Sequence, residues 1–263
     1  MNHLSVPPSR PPRLLPLLLG AAGLLAAGHI AQAETYNGNG ANGFGGGVGG
    51  GILTITNGTG GAINFSLATS GFNGNGLAIY LDTRTGGVNN TSTFTDTADS
   101  SRVVLSGLSG SGRTLATFAP GFNADFGIAL LPGNFAGLYN LSTPANFGFV
   151  ASAGLNSAAT TTLNFSVNRA DIGLPATGGG FTFAASLIST TGYRANETIG
   201  TSVTTVDPAN VGTAPNAGFT GTQTFAASNT FGTPAPEPST WALLAAGAGV
   251  LGAGLLRRRA AQA

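Results

Sequence analysis

The chain has 263 residues, of which 43 are Gly and 14 are Pro, and only 7% are charged. It contains no cysteine and no lysine, and both histidines precede residue 34, which excludes disulfide scaffolds, thiolate chemistry and lysine Schiff bases. Five arginines stand against eight acidic residues between residues 34 and 233, so this part has a formal charge of −3 and provides no basic surface for nucleic acid.

Residues 1–33 have the organisation of an export signal. Two arginines precede an apolar run over residues 14–27, and the small residues Ala31 and Ala33 follow it. This order predicts a secretory signal peptide, helical in its apolar part, which signal peptidase removes after Ala33 during export by the Sec machinery. A retained membrane anchor is the alternative, and the shortness of the apolar run argues against it. Removal of this segment leaves a chain without His or Cys, which excludes Ser-His-Asp catalysis, ordinary zinc sites and His-ligated haem.

A segment rich in Gly and Asn, residues 34–51, comes next. Such composition is typical of flexible linkers. This segment also contains Phe44 and Val48 and leads directly into an apolar run that begins at Ile52. We therefore expect a mobile lead-in that docks at its end.

Residues 52–228 alternate with a period of two. In 62–68 the apolar residues Ile63, Phe65 and Leu67 share one face and polar residues share the other, and 77–82, 161–168 and 181–187 repeat the pattern. Alternation of this kind indicates half-buried strands of antiparallel sheets. Gly-rich turns separate the ten or so strands, so we predict an all-β, antiparallel β-sandwich of jelly-roll-like form.

Two places interrupt the strand pattern. Asp99 precedes a short apolar run that ends at Gly107, which predicts one or two turns of helix between a capping residue and a glycine stop. Residues 168–173 predict a single turn of the same kind. Neither segment is long enough to support a helical domain.

Oxygen ligands for a hard cation are the first candidate site. Four aspartates are the candidate calcium ligands: Asp82, Asp96, Asp99 and Asp125. No Asp-x-Asp-x-Asp-Gly loop is present. We favour the alternative that Asp96 and Asp99 cap a turn and a helix, while the other two aspartates pair with Arg102 or Arg113. We otherwise expect no cofactor.

Ligand binding and catalysis are the second group of candidates. Tyr80, Tyr139 and Tyr193 are candidate ligand-binding residues, because each offers a ring with a polar tip. Outward Asn, Thr and Ser side chains are able to hydrogen-bond sugar hydroxyls. The alternatives are that the tyrosines cover core edges and that the polar faces meet water. A glycosidase needs two carboxylates and no histidine, and Asp82, Asp125 and Glu197 are the residues to consider.

Four segments in the body carry a family resemblance. Residues 77–83, 125–130, 165–173 and 181–185 are similar to successive strands of DOMON-like and family-nine carbohydrate-binding sandwiches. The resemblance implies a β-sandwich fold. It does not extend to the ligand, because this chain lacks the tryptophans that clamp sugars and the histidine or methionine that binds haem in those modules.

The C-terminus carries a second set of signals. A Pro-rich linker over residues 229–240 contains Pro236-Glu237-Pro238, an apolar segment follows from Trp241 to Leu256, and residues 257–263 begin with the arginine triplet Arg257, Arg258 and Arg259. Sixteen helical residues reach roughly 24 Å, a marginal membrane span. Trp241 suits the membrane interface, and the arginine triplet belongs on the cytoplasmic side, which puts the body outside.

This tail resembles the PEP-CTERM sorting signal of Gram-negative bacteria. The resemblance implies recognition by an exosortase, a membrane protease that processes such tails near the Pro-Glu-Pro triplet. The apolar segment 241–256 would then be a transient inner-membrane anchor, and a permanent uncut anchor is the alternative. The prolines at 234, 236 and 238 keep the approach to this segment extended.

These features together predict an exported protein of the cell surface or extracellular matrix. We expect it to be non-enzymatic and associated with exopolysaccharide. The alternatives are a polysaccharide-acting hydrolase that uses paired carboxylates and a structural subunit that self-assembles through sheet edges.

Overall fold

The alternating segments of the sequence form β-strands in a computed structural model that describes residues 33–133, 135–155, 161–206 and 220–232. Within those residues the chain forms fifteen strands and one α-helix. The protein is therefore an all-β sandwich, as the periodicity predicts. Residues 1–32 of the predicted signal peptide, the membrane segment 241–256 and the basic tail lie outside the described residues, whereas Ala33 is the first residue of a strand. No helix within the described ranges is long and apolar enough to cross a bilayer.

Fifteen strands follow one another along the described ranges. In chain order they are β1 (Ala33–Asn37), β2 (Ile52–Asn57), β3 (Ala62–Ala68), β4 (Gly76–Asp82), β5 (Leu108–Ser109), β6 (Gly112–Thr117), β7 (Phe126–Leu131), β8 (Phe135–Asn140), β9 (Gly148–Ser152), β10 (Thr162–Asn168), β11 (Phe181–Ile188), β12 (Arg194–Ile199), β13 (Val203–Val206), β14 (Thr220–Phe225) and β15 (Asn229–Phe231). The helix, α1 (Ser100–Ser106), lies between β4 and β5.

These strands form three sheets. The outer sheet has the order β1-β2-β3-β10, and the central sheet has the order β12-β11-β4-β7-β8-β9, with β15 also paired to β11. The small sheet has the order β13-β14-β6-β5. All strand pairs are antiparallel except β14 with β6, which is parallel, so the predicted antiparallel sandwich has one parallel pair at its small sheet.

The central sheet is buried on both faces. Along β4, Leu77, Ile79 and Leu81 belong to a core shared with the outer sheet, whereas Ala78 and Tyr80 belong to a second core shared with α1 and the small sheet. The prediction that residues 77–82 and 181–187 form half-buried strands is therefore wrong, since both have a covered second face. The outer sheet does follow the prediction, with Leu53, Ile55 and similar residues inward and polar residues outward.

Small residues let α1 approach the central sheet closely. A Cβ atom added at Gly76 would lie 2.8 Å from Val104 Cγ2, and one added at Gly127 would lie 2.6 Å from Leu105 Cδ2. The helix begins where predicted, because the Asp99 carboxylate accepts a hydrogen bond from the Arg102 backbone N–H at 3.0 Å. It ends at Gly107, which has φ 68°.

The other predicted turn, within residues 168–173, is also present. It is a 3-10 turn over Ala170–Ile172, and Gly173 follows it with φ 74°.

The sandwich extends beyond its predicted bounds of 52–228. Strand β1 pairs with β2 from Ala33 onward, and β15 pairs with β11 up to Phe231. The segment 34–51 is consequently a strand followed by a folded loop, and the predicted linker from 229 begins with a strand. The two ends meet, since the Gly232 N–H donates to Glu34 Oε1 at 3.0 Å.

Candidate functional site

The outward face of the outer sheet carries a regular array of short polar side chains. The strand register aligns Thr54, Ser66 and Asn164 in one row across β2, β3 and β10. A second row contains Thr56, Asn64 and Ser166. Residues that face each other across antiparallel strands project to the same side, so the two rows form one hydroxyl and amide surface.

An open groove follows this array. Its volume is about 370 Å³, and it is lined by both rows together with Gly154, Phe65 and Phe165. Phe65 and Phe165 are register partners whose rings stack at 4.8 Å with an interplanar angle of 5°. Because this aromatic pair packs in the core beneath β3 and β10, it holds the two strands that carry most of the groove.

The polar side chains of the groove are unengaged within the part of the chain that the structure describes. Among the described residues, the side chains of the six array residues make no hydrogen bond to another residue. Asn64 and Asn164 are exposed, and the four hydroxyl residues are half-buried. Each amide offers two donors and an acceptor, and each hydroxyl offers both functions. The surface is therefore suited to a neutral ligand with many hydroxyl groups.

The three predicted ligand-binding tyrosines do not form a site. Tyr80, Tyr139 and Tyr193 are 0%, 2% and 1% exposed. The Tyr80 hydroxyl donates to the Leu105 carbonyl at 2.5 Å and accepts from Arg194 at 2.5 Å. The prediction that these rings meet a ligand is therefore corrected: all three are core residues. Tyr80 and Tyr139 lie in the second core, on the covered second face of the central sheet, and Tyr193 lies in the core shared with the outer sheet.

The four predicted calcium ligands fall into two groups, and in each group the carboxylates already accept hydrogen bonds from the protein. Asp96 accepts from the backbone N–H groups of Ala98 at 3.1 Å and Phe147 at 2.6 Å. Arg102 lies 3.0 Å from Asp96 and also pairs with Asp99, while its guanidinium stacks over Tyr139 at 5.0 Å. Arg102 thus compensates both carboxylates and ties α1 to the loop before β9.

The second group lies at the end of β4. Asp125 is buried and accepts from the Thr83 and Arg84 backbone N–H groups at 3.0 Å each. Its ion pair is with Arg84, at 3.4 Å, and not with Arg102 or Arg113 as the alternative expected. Asp82 accepts from the Asn123 N–H at 2.9 Å. No cluster of three or more potential ligands occurs among the residues that the structure describes, so calcium binding stays a prediction without geometric support.

Asp82 borders a separate cavity of about 350 Å³ near the end of the described body. Thr182, Thr230, Ser228 and Gly232 also line this cavity. Burial raises the pKa of Asp82 above its ordinary value, and the charge of Asp125 raises it further. Hydrogen bonds from the Asn123 N–H and the Thr182 hydroxyl lower the pKa and offset part of this rise. Among the described residues that line the cavity, Asp82 is the single carboxylate.

Glu197, the third carboxylate considered for a hydrolase, is a structural anchor. It is 0% exposed. Its Oε1 accepts from the Phe44 and Gly46 N–H groups at 2.6 and 3.1 Å, and its Oε2 accepts from Val48 and Gly49 at 3.0 and 3.1 Å. The Gly-rich loop therefore folds around this carboxylate.

The loop around Glu197 needs glycine where it touches other backbone. A Cβ atom at Gly47 would lie 1.8 Å from the Gly71 carbonyl oxygen, and one at Gly49 would lie 1.8 Å from the Ala41 carbonyl oxygen. Phe44 and Val48 are buried in the core, so the docking that their presence predicted does occur. Sequence reasoning could not predict this anchoring role, because Glu197 lies 148 to 153 residues along the chain from its donors.

Comparison with known proteins adds the function of the C-terminal segment. The described residues belong to an all-β sandwich with a polar outer face, and this is the structural class of the protein. Residues 234–259 match the PEP-CTERM protein-sorting motif, which confirms the resemblance seen in the tail. The motif indicates sorting to the cell surface through an exosortase. No curated protein and no solved structure matches the chain, and the resemblance to DOMON-like sandwiches stays a prediction.

Proposed function

We propose that the protein is a non-enzymatic component of the extracellular matrix that binds exported polysaccharide in the groove of the outer sheet. The two rows of unengaged hydroxyl and amide groups carry this proposal. Sugars present closely spaced hydroxyls that both donate and accept, and Asn, Ser and Thr side chains match them in both roles. None of the described residues that line the groove is charged, so we infer that it takes neutral sugar residues.

The absence of a catalytic role is part of the proposal. Asp125 and Glu197 are buried and accept hydrogen bonds from backbone N–H groups, so each has a structural use. The cavity beside Asp82 offers a single carboxylate, whereas glycoside hydrolysis generally uses two. These observations favour binding over the hydrolase alternative.

Retention on purified exopolysaccharide of the producing bacterium tests the proposal. The double variant Asn64→Leu/Asn164→Leu removes the two exposed amides of the groove, and Asn146→Leu is a matched control on an exposed loop. Each lost hydrogen bond contributes about 0.5–1.5 kcal/mol, so we expect the double variant to bind roughly ten-fold or more weakly. Equal retention of the double variant and the control, or no retention of the wild type above an unrelated protein, would contradict it.

We propose further that the chain reaches this matrix by Sec export, signal peptidase cleavage after Ala33 and exosortase processing, with 241–256 as a transient inner-membrane anchor. The body itself is compatible with both cuts, because its first strand begins at Ala33 and its last strand ends at Phe231. The intact mass of the exported protein is the test. A mass that retained either terminal segment would contradict the corresponding step.

A further inference from the structure

One end of the central sheet is a free edge. Strand β9 is the last strand in the sheet order, and no strand in the described ranges pairs with its outer side. The opposite end is covered, since Gly38 bridges Ile199 of β12 and the Asn39 N–H donates to Thr198 at 3.0 Å. Unpaired N–H and C=O groups along β9 are therefore a template for another extended strand.

Exposed apolar side chains gather at this same edge. Four large hydrophobic side chains of the described residues are exposed, and three lie here: Phe135 at 37%, Phe149 at 53% and Val150 at 37%. The Phe149 ring packs edge-on against buried Tyr139 at 5.5 Å, which holds it at the surface. The fourth, Ile52, is 43% exposed on β2, which lies between two other strands.

The usual protection of an edge strand by charge is missing. Neither β8 nor β9 contains a charged residue, and the chain has no lysine. Natural sheets commonly place lysine or other charges on such edges to prevent strand addition. A register shift opposite Leu138 and Tyr139 twists β9 and limits any pairing to a few residues. The edge thus permits a short apolar contact.

We propose that β9 pairs in an antiparallel manner with β9 of a second copy of this chain, about a two-fold axis near Val150. The N–H and C=O groups that alternate along the edge of a strand find their hydrogen-bond partners on another strand, so the partner is an extended peptide segment. A strand that pairs antiparallel with itself makes an isologous contact, so one neutral, apolar edge satisfies both sides. The contact extends over five residues, so we expect a weak dimer that forms at high local concentration.

The absence of cysteine allows a direct test. Val150→Cys introduces a single thiol next to the proposed two-fold axis, where the two copies of this residue come within the Cα separation of roughly 4.4–6.8 Å that a disulfide spans. Ile52→Cys is the matched control, since it is equally exposed but lies on an inner strand. We expect the full exported chain carrying Val150→Cys to form disulfide dimers under mild oxidation at least ten-fold faster than the control.

Sedimentation gives a second readout that does not depend on crosslinking. The wild-type chain should sediment faster as its concentration rises, and Phe149→Lys should abolish this dependence while Ile52→Lys preserves it. Because these side chains are exposed, both variants should retain the far-UV circular dichroism of the wild type. Equal crosslinking rates at positions 150 and 52, or a wild-type sedimentation coefficient independent of concentration, would overturn the proposal.

Discussion

Replacement of Glu197 by Gln should destabilise the fold strongly, although it changes one atom. The carboxylate accepts four backbone N–H groups, two on each oxygen. An amide keeps one oxygen and turns an NH₂ group toward the other two donors, so two hydrogen bonds are lost. A hydrogen bond to a charged group contributes about 1.5–3 kcal/mol, and the two together correspond to roughly 3–6 kcal/mol of unfolding free energy. That is a large part of the stability of about 5–15 kcal/mol usual for a domain.

Urea unfolding of wild type and Glu197→Gln measures this difference, and Asp171→Asn is the control. Asp171 accepts a bond from the exposed Asn168 side chain, so the same chemical change there should shift stability by less than about 0.5 kcal/mol. Amide hydrogen exchange locates the effect, because the N–H groups that face the new NH₂ group should lose protection first, and these are either Phe44 with Gly46 or Val48 with Gly49. If Glu197→Gln unfolds at the same urea concentration as the control, the anchoring role of the carboxylate is refuted.

Three further predictions concern stability. Burial and the Glu34 carboxylate raise the pKa of Tyr36. Its contribution to the free energy of unfolding is therefore complete below the ordinary pKa of about 10 and is lost as pH rises above that value. Urea unfolding across alkaline pH should show a steeper loss of stability in wild type than in Tyr36→Phe. Because the pKa of Asp82 is raised, ionisation of this carboxyl lowers the free energy of unfolding as pH rises above about 3.9. Asp82→Asn should therefore raise the melting temperature at pH 7, and this gain should disappear at pH values below about 3.9. Gly127→Ala should cost about 1–3 kcal/mol, because the added Cβ lies 2.6 Å from Leu105 Cδ2; an unchanged urea midpoint would show that α1 moves away freely.

Three strands of the outer sheet, β2, β3 and β10, were predictable because one of their faces meets water, whereas β1 was not predicted. Ile63, Phe65 and Leu67 alternate with polar residues, and this contrast locates both the strand and its buried side. The cap of α1 was predictable for a similar local reason, since Asp99 and Gly107 sit at the positions that a short helix requires. Local chemistry also marked the turns, where glycines adopt positive φ.

The third layer was not predictable from the same signal. In β4 and β7 the residues that face α1 include Ala78, Gly127 and Ala129, and small residues of this kind do not contrast with either a core or a surface. Their size is nevertheless what admits the helix. The burial of Tyr80 and Tyr139 follows from this layer, so the mistaken choice of binding tyrosines and the missed layer have one cause.

The described body places much of its charge inside and leaves its contact surfaces neutral. Buried Arg169 donates to the carbonyls of Gly178 and Gly179 and to the Asn57 side chain, just as buried Glu197 accepts from the Gly-rich loop. Charged groups thus fix loops that are rich in glycine. The described residues of the groove and of β9 carry no charge, so the contacts proposed at both would depend on short-range hydrogen bonds and apolar packing. Such contacts depend little on ionic strength, which suits a protein sorted to the outside of the cell.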